Sequence, residues 1–336
     1  MRTLALILVA FILLTLLGSS VNGIEARTTF SHVNIQYKNP QELSVNEFAK
    51  HRIAFVVPIF TAAAYNDAFY IFYTKYAKTP STANVSHDLN LLSSKVNEHK
   101  DPLTTFLDSS SDAMRFLKKH TSLLLPNATI DLITDMDADQ GAMFENGSNK
   151  YDVLILGHQE YVTQQEYDNF KHFVMNGGTL ILLDANVFYA EVGYDPLSHI
   201  VTLIQGHGWK YNGRTAWKST SERWANETSE WVGSNYLCYS CKVTFVNNPF
   251  EYEHHEEQYI KNTNAKVLLN YNASVLPQYA HLDNASLAHK HVIGAYELLY
   301  GKGKVVSLGI YADLIVDSKP FLVFFDRLLL SAVGRN

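Results

Sequence analysis

The segment 151–184, YDVLILGHQEYVTQQEYDNFKHFVMNGGTLILLD, places two uninterrupted apolar runs on either side of a more polar stretch. Such runs are typical of strands that are covered on both faces of a parallel sheet. Between them, Thr163 and Glu166 have the spacing of a capping box, and Asn-Gly-Gly at 176–178 has the composition of a helix end. The segment therefore predicts a strand, a helix and a second strand, which is the repeating unit of an α/β fold.

The rest of the chain repeats this alternation of apolar runs and segments with helical spacing. The further strands are predicted at 51–60, at 128–137 and on both sides of the turn at 301–304, and the further helices at 65–77, 103–120 and 319–333. Between about 194 and 289 the alternation weakens and short strands such as 242–246 replace it. We therefore expect a polar lead-in segment at 24–50 and one α/β domain at 51–336, with a mostly β insertion at about 194–289.

The N-terminus has the pattern of a secretory signal peptide. Arg2 precedes an apolar run from Leu4 to Leu17, which is shorter than the roughly 20 residues of a membrane span, and small and polar residues follow. We expect 1–23 to be a signal peptide that is cleaved near Gly23, and an uncleaved N-terminal anchor is the alternative. In either case the chain is exported, to the extracellular space or the cell surface.

Asn-x-Ser/Thr sequons are consistent with an exported glycoprotein, and they begin at Asn84, Asn127, Asn146, Asn226, Asn272 and Asn284. The net charge of −6 and the lack of any block of Lys and Arg argue against a nucleic-acid partner. Cys238 and Cys241 form a single Cys-x-x-Cys pair. One such pair is weak evidence for zinc, and a small disulfide or two free thiols are the favoured alternatives.

The tetrad 158–161, His-Gln-Glu-Tyr, follows the first apolar run of the opening segment. Loops at the carboxyl ends of parallel strands are where open α/β sheets bind their ligands. The tetrad contains no Cys or Ser, so acyl-enzyme chemistry is not expected there. A structural interpretation also stays open, in which His158 and Glu160 fix the loop by hydrogen bonds and Tyr161 is a core ring.

The tetrad and its surroundings resemble the C-terminal domain family of the N,N-dimethylformamidase large subunit. That family shows Gly-His-Asp-Glu-Tyr, a helix and then Gly-Gly-(Asn/Thr)-Leu, and this chain has Gly-His-Gln-Glu-Tyr at 157–161 and Gly-Gly-Thr-Leu at 177–180. The stretches Ala-Tyr-Asn at 64–66 and Thr-Asp-Met-Asp at 134–137 match as well. The resemblance covers roughly residues 50–330, and it implies a three-layer, flavodoxin-like parallel sheet similar to that of class I glutamine amidotransferases.

In the amidases of that family, tyrosine and glutamate side chains hold a single iron ion, and such a metal can activate water and polarise an amide carbonyl. By this resemblance, Tyr161 is an iron ligand, and His158 and Glu160 are catalytic residues beside it. The chain departs from the family at Gln159, where the motif has Asp. It also has no tyrosine in 77–150 to act as the family's second tyrosine ligand.

The segment 251–259, EYEHHEEQY, concentrates imidazole and carboxylate groups in the insertion. Residues two apart on a strand face the same side, so His254 with Glu256, or His255 with Glu257, can point into one site. The resemblance implies a His-x-Glu pair that acts as ligand and helper base. We therefore take His254 as a catalytic candidate and Glu256 and Glu257 as metal-ligand candidates, with a solvated acidic strand as the alternative.

Two hypotheses about function follow. The first is an exported hydrolase of amide or other C–N bonds that uses iron and acts on a small-molecule amide. The second is a non-catalytic glycoprotein of the same fold, associated with the cell surface or envelope, that binds glycans or envelope partners. The tryptophans of the insertion suit either a sugar-stacking platform or a small core of their own; they are Trp209, Trp217, Trp224 and Trp231.

Overall fold

The fold is organised around strand β1 (Arg52–Val57), which pairs in parallel with a neighbour on each side. The computed structural model describes residues 51–65, 69, 93–95, 108–184, 186–205, 223–239, 242–245, 248–253, 256–260, 264–271 and 292–334. All of them fall within the unit Phe48–Asn336.

The remaining strands in chain order are β2 (Ser93–Lys95), β3 (Thr129–Thr134), β4 (Phe144–Glu145), β5 (Ser148–Asn149), β6 (Val153–Leu156), β7 (Tyr161–Val162), β8 (Thr179–Leu182), β9 (Ala190–Asp195), β10 (Ile200–Gln205), β11 (Ser234–Tyr239), β12 (Lys242–Phe245), β13 (Asn248–Glu253), β14 (Glu256–Ile260), β15 (Lys266–Tyr271), β16 (Val292–Tyr300) and β17 (Gly303–Ser307). The helices are α1 (Ile59–Ala64), α2 (Asp108–Leu124), α3 (Asp135–Asp139), α4 (Gln164–Met175), α5 (Ala225–Trp231), α6 (Ala312–Asp317) and α7 (Lys319–Ala332).

Five parallel strands form the centre of the sheet in the spatial order β3, β1, β6, β8, β17. Numbered by their place in the chain, this is the order 2-1-3-4-5 of flavodoxin-like sheets. The predicted flavodoxin-like α/β fold is therefore confirmed. Strand β16 continues the sheet antiparallel to β17, and strands β11 to β15 of the insertion join the same sheet. Strand β10 belongs instead to a four-stranded sheet of order β2, β10, β9, β7.

Apolar side chains on both faces of the parallel strands pack against helices, which gives three layers. One face contacts α2, α6 and α7 through residues that include Met114, Ile315 and Phe325. The other face contacts α4 through Phe170 and Phe173. Because both faces are covered, the strands carry the uninterrupted apolar runs from which the sheet was predicted.

Helix α4 matches its prediction at both ends. It begins after Thr163, whose hydroxyl oxygen accepts a hydrogen bond from the backbone N–H of Glu166 at 3.0 Å, and it ends before Asn176. The capping box is only half formed, however, because the carboxyl group of Glu166 is buried in the interior instead of returning to Thr163.

Two predicted strands are shorter than expected because a helix follows them directly. The strand at 51–60 ends at Val57, since Pro58 has no N–H to continue the ladder, and α1 begins at Ile59. The strand at 128–137 ends at Thr134, which forms a full capping box with Asp137 at the start of α3. The helix predicted at 103–120 is described at Asp108–Leu124. Of the helix predicted at 65–77, only Tyr65 and Phe69 are described.

Within the part of the chain that the structure describes, no helix combines the length and the apolar character needed to cross a membrane.

Candidate functional site

The candidate site lies at the carboxyl edge of the parallel strands, where β1 is flanked by β3 and β6. The connection after β1 leads to β3 on one side and the connection after β6 leads to β8 on the other, and open α/β sheets bind ligands at such switch points. Val56 of β1 is level with Leu156 of β6, and Leu156 is level with Leu182 of β8. The loops that follow these three residues therefore begin at the same level along the strand direction, at the carboxyl edge of the sheet.

Three of these loops bring one polar residue each into a common cluster. His158 follows β6, Asp184 follows β8, and Tyr65 follows α1 at the end of β1. His158 and Asp184 are buried, whereas Tyr65 is half-buried and gives the cluster an exposed side. We call His158, Asp184, Tyr65 and Glu160 the site cluster.

Asp184 holds the imidazole ring of His158. One carboxylate oxygen, Oδ2, contacts His158 Nδ1, and the other accepts a hydrogen bond from the backbone N–H of Asn186 at 2.8 Å. With Nδ1 donating to Asp184, the second ring nitrogen, Nε2, is the one available for chemistry.

Nε2 of His158 faces two oxygen atoms. It lies 3.1 Å from the hydroxyl oxygen of Tyr65 and 3.3 Å from Glu160 Oε2. Tyr65 donates its own hydroxyl hydrogen to the same oxygen of Glu160. A neutral imidazole would therefore direct an electron pair at a carboxylate oxygen, and either a proton on Nε2 or a cation between the three atoms removes that repulsion.

Two further tyrosine rings flank the cluster. The ring of Tyr311, which follows β17, is centred 5.7 Å from that of His158. The ring of Tyr161 is centred 6.1 Å from that of Tyr65 in an edge-on contact, and a second edge-on contact joins it to Phe69. Tyr161 is 3% exposed and packs in an apolar cluster with β9 and β10, which agrees with the alternative of a core ring.

The structure thus places His158, Glu160 and Tyr161 close to Tyr65 at the carboxyl edge of the sheet. The other candidates lie in the insertion. Glu256 and Glu257 are the first residues of β14. Strand β14 pairs with Val292 and Ile293, at the start of β16. This part of β16 lies beyond the residues that pair with β17. This places the backbone of β14 at the site edge of the sheet. His254 lies outside the described residues.

Two of the four tryptophans are described, and both belong to the main core. Trp224 and Trp231 are 4% and 0% exposed and pack around Tyr167 of α4, with the ring of Trp224 stacked on it at 4.4 Å. A ring buried in this way cannot stack on a sugar. They also do not form a separate core for the insertion, because their partners belong to the layer of α4.

Sequence reasoning did not identify Tyr65 and Asp184 as members of the site. Tyr65 lies in Ala-Tyr-Asn at 64–66, one of the stretches on which the family resemblance rests. Asp184 ends the apolar run at 179–184. The position of Tyr65 and Asp184 in the chain could have identified them, because polar residues that follow different parallel strands meet at one edge of the sheet.

The sequence profile of the family described as N,N-dimethylformamidase beta subunit-like, C-terminal, matches residues 37–281. The match covers well over half of the chain, so the chain belongs to this family. No curated protein matches the sequence.

Several solved structures are similar to the chain. One is a catalytic mutant of a GH42 β-galactosidase from G. stearothermophilus, 14% identical over 84% of this chain and 30% of the galactosidase, with a TM-score of 0.41. Another is a ThuA-like protein from Bacteroides uniformis, 11% identical over 84% of this chain and 92% of that protein, with a TM-score of 0.40. The chain spans about a third of the length of the β-galactosidases that it matches.

We predict strong energetic coupling between His158 and Asp184. Each single change to Ala leaves a buried polar partner without its hydrogen bond and should lower the free energy of unfolding by about 2–4 kcal/mol. The double variant should lose at least about 1 kcal/mol less than the sum of the two. Denaturant unfolding of the four proteins at pH 7 measures this, and additive losses would contradict the contact.

Proposed function

We propose that this member of the N,N-dimethylformamidase beta subunit-like C-terminal family is an exported, iron-dependent hydrolase of amide or other C–N bonds. The observation that carries the proposal is the convergence of Tyr65, Glu160 and His158 Nε2 at the ligand-binding edge of the sheet, with Asp184 behind the imidazole. A carboxylate, a phenol and an oriented imidazole are the groups that hydrolysis needs to move protons.

Each member of the site cluster has a role in this proposal. Glu160 accepts a proton from the attacking water, whose oxygen forms the new bond to the amide carbon. Tyr65 and His158 Nε2, which Asp184 orients, would hold the iron ion, and that ion would stabilise the negative charge that develops on the carbonyl oxygen. Glu160 then gives the proton that it took from water to the nitrogen as the C–N bond breaks, so the amine leaves neutral. The products are a carboxylic acid and an amine.

Iron fits the donor chemistry of this site. An imidazole nitrogen, a phenol oxygen and a carboxylate oxygen that lie close together are donors that iron accepts. The distances from His158 Nε2 to Tyr65 and Glu160 are 3.1 and 3.3 Å. Among the described residues, no three His, Cys, Asp or Glu side chains are grouped to hold a metal. In this proposal the Tyr65 oxygen would be the third donor beside His158 and Glu160.

When bound by these residues, a ferric ion would supply a Lewis acid that polarises a carbonyl and acidifies water. Tyr65 then takes the place of the second tyrosine ligand that the sequence lacks in 77–150. Tyr161 is adjacent, and Glu256 and Glu257 lie on a strand at the same edge of the sheet. We keep these three as additional ligand candidates.

Export is part of the proposal. The apolar run from Leu4 to Leu17 supports a signal peptide, and the exposure of the described sequon residues Asn127, Asn146 and Asn226 is what N-glycosylation requires. A small-molecule amide in the extracellular space or at the cell envelope is then the expected substrate.

We predict that the secreted protein releases amine from one or more members of a panel of formamides, N-alkylamides and ureas. Changing Glu160 to Gln should lower kcat/KM by about 10²–10⁴, because the proton acceptor is lost. Tyr65→Phe should also lower kcat/KM substantially, and the free amine is measured by a colorimetric assay.

The matched control is Tyr151→Phe. Tyr151 precedes β6, at the end of the sheet opposite to Tyr65, where its hydroxyl donates to Asp131 at 3.0 Å. Its loss should leave kcat/KM within a few-fold of wild type. Failure of the wild type on the whole panel, in folded iron-supplemented protein, would count against hydrolysis, as would equal losses in all three variants.

We also predict that full-length protein made in a eukaryotic secretory host reaches the medium with Ile24 or a neighbouring residue at its N-terminus. Glycosidase treatment should then lower its mass, and Asn146→Gln should lower the mass of the untreated protein by one glycan. Intact-mass spectrometry and N-terminal sequencing measure both. Retention of residues 1–23 would favour the anchor, and cytosolic, unmodified protein would contradict export.

A further inference from the structure

A second pair of acidic residues lies beneath the site cluster and takes no part in the proposed chemistry. Asp135 begins α3 directly after β3, and Glu166 lies in the first turn of α4. Both are 0% exposed. We call them the buried acid pair.

Asp135 connects the two loops that carry the site. Its Oδ2 atom accepts a hydrogen bond from the backbone N–H of Phe60 at 2.8 Å, in the helix that ends at Tyr65. Its Oδ1 atom accepts one from Gln159 Nε2 at 3.3 Å, and the same amide nitrogen donates to the carbonyl of Val56 at 2.9 Å. Gln159 stands between His158 and Glu160, and Phe60 lies in the helix before Tyr65. Asp135 therefore bonds both to the loop that carries His158 and Glu160 and to the helix that precedes Tyr65.

Glu166 interacts electrostatically with Asp135 across the contact between α3 and α4, and it has no donor of its own. Neither of its carboxyl oxygens accepts a hydrogen bond from a described residue, although its backbone N–H donates to Thr163. No Lys or Arg of the described residues forms an ion pair with either acid. Two carboxyl groups form a hydrogen bond with each other only when one of them is protonated. Glu166 is the better carrier of that proton, because both oxygens of Asp135 already accept hydrogen bonds.

The surroundings of the pair favour this proton. Burial is the largest cause that raises the pKa of Asp135, to about 7, and it also raises the pKa of Glu166 well above its usual range. For Glu166 the neighbouring charge of Asp135 adds to the effect, and the charge of Asp139 raises the pKa of both acids.

The elements packed around the pair supply no positive charge. Helix α1 has no titratable side chain. On α3, the carboxylate of Asp137 accepts from the backbone N–H of Thr134 at 2.8 Å, and that of Asp139 accepts from the hydroxyl of Thr163. On α4, Lys171 pairs with Glu227 instead, at 2.6 Å.

We propose that one proton shared by Glu166 and Asp135 holds the two loops of the site cluster together, and that its loss at higher pH separates them. Asp135 and Glu166 are therefore positioning residues. The consequence for hydrolysis rests on the proposed function, but the protonation of the pair and its effect on the loops do not.

The sign of the pH dependence follows from the raised pKa values. Between the usual pKa of a carboxyl group and its raised value, the folded protein binds more protons than the unfolded chain. The stability that the shared proton supports is therefore present at mildly acidic pH and is lost as the pH rises through neutrality.

The test compares full-length wild type with Glu166→Gln and with Asp168→Asn. In Glu166→Gln the new side-chain amide would donate a hydrogen bond to ionised Asp135 at every pH. Asp168→Asn serves as the control, because Asp168 is an exposed acid on the same helix. Infrared spectra at pH 6 should show the carbonyl stretch of a protonated carboxyl group in wild type and control but not in Glu166→Gln. Between pH 6 and 9 the unfolding temperature of wild type should fall by about 5 °C more than that of Glu166→Gln.

The positioning role has its own readout. The imidazole NMR signals of His158, assigned by their absence in His158→Ala, should shift between pH 6 and 9 in wild type and much less in Glu166→Gln. Asp135→Asn provides the same comparison if Glu166→Gln does not fold. Identical infrared bands, or parallel pH curves and unchanged His158 shifts, would overturn the proposal. If these readouts behave as expected while no amide is hydrolysed, the pair stands and the proposed function fails.

Discussion

The parallel register of β1, β6 and β8 is the constraint on which the rest of the structure depends. Because Val56, Leu156 and Leu182 stand level in adjacent strands, the chain leaves all three strands at one edge of the sheet. A slip of one residue in any strand would turn its apolar side chains to the other face and misplace the loop that follows. The contacts among Tyr65, His158 and Asp184 exist only in this register, so the sheet and the site are specified together.

The carboxyl edge of the sheet concentrates buried polar groups that a purely structural loop does not require. His158, Glu160 and Asp184 are at most 3% exposed, and Asp135 and Glu166 are fully buried beneath them. Burying ionisable groups costs free energy unless they are paired and hydrogen-bonded. In the site cluster, Asp184 contacts the imidazole of His158, and Tyr65 donates a hydrogen bond to Glu160. For the buried acid pair, the proposed shared proton would supply the missing hydrogen bond.

The fold could be predicted from the sequence because its signals are local. The apolar runs of β6 and β8 and the cap at Thr163 are visible within one segment, and β6, β8 and α4 form there. The position of His158 and Glu160 at the carboxyl edge of the sheet could also be predicted, since they directly follow the apolar run of a buried strand. Asp184 and Tyr65 could not, because their contacts with His158 span 26 and 93 residues. Glu166 has the spacing of a cap, yet its carboxyl group lies beside Asp135, a partner that no local pattern reveals.

The central claim is that Tyr65, His158 and Glu160 form an iron-binding hydrolytic site. The most direct test is the iron content of the full-length secreted protein by elemental mass spectrometry, together with its visible spectrum, in wild type, Tyr65→Phe and Tyr151→Phe. The account predicts near one iron per chain and a phenolate charge-transfer band in wild type and Tyr151→Phe, with loss of the band in Tyr65→Phe. A folded, colourless wild-type protein that takes up no iron when it is supplied would contradict it.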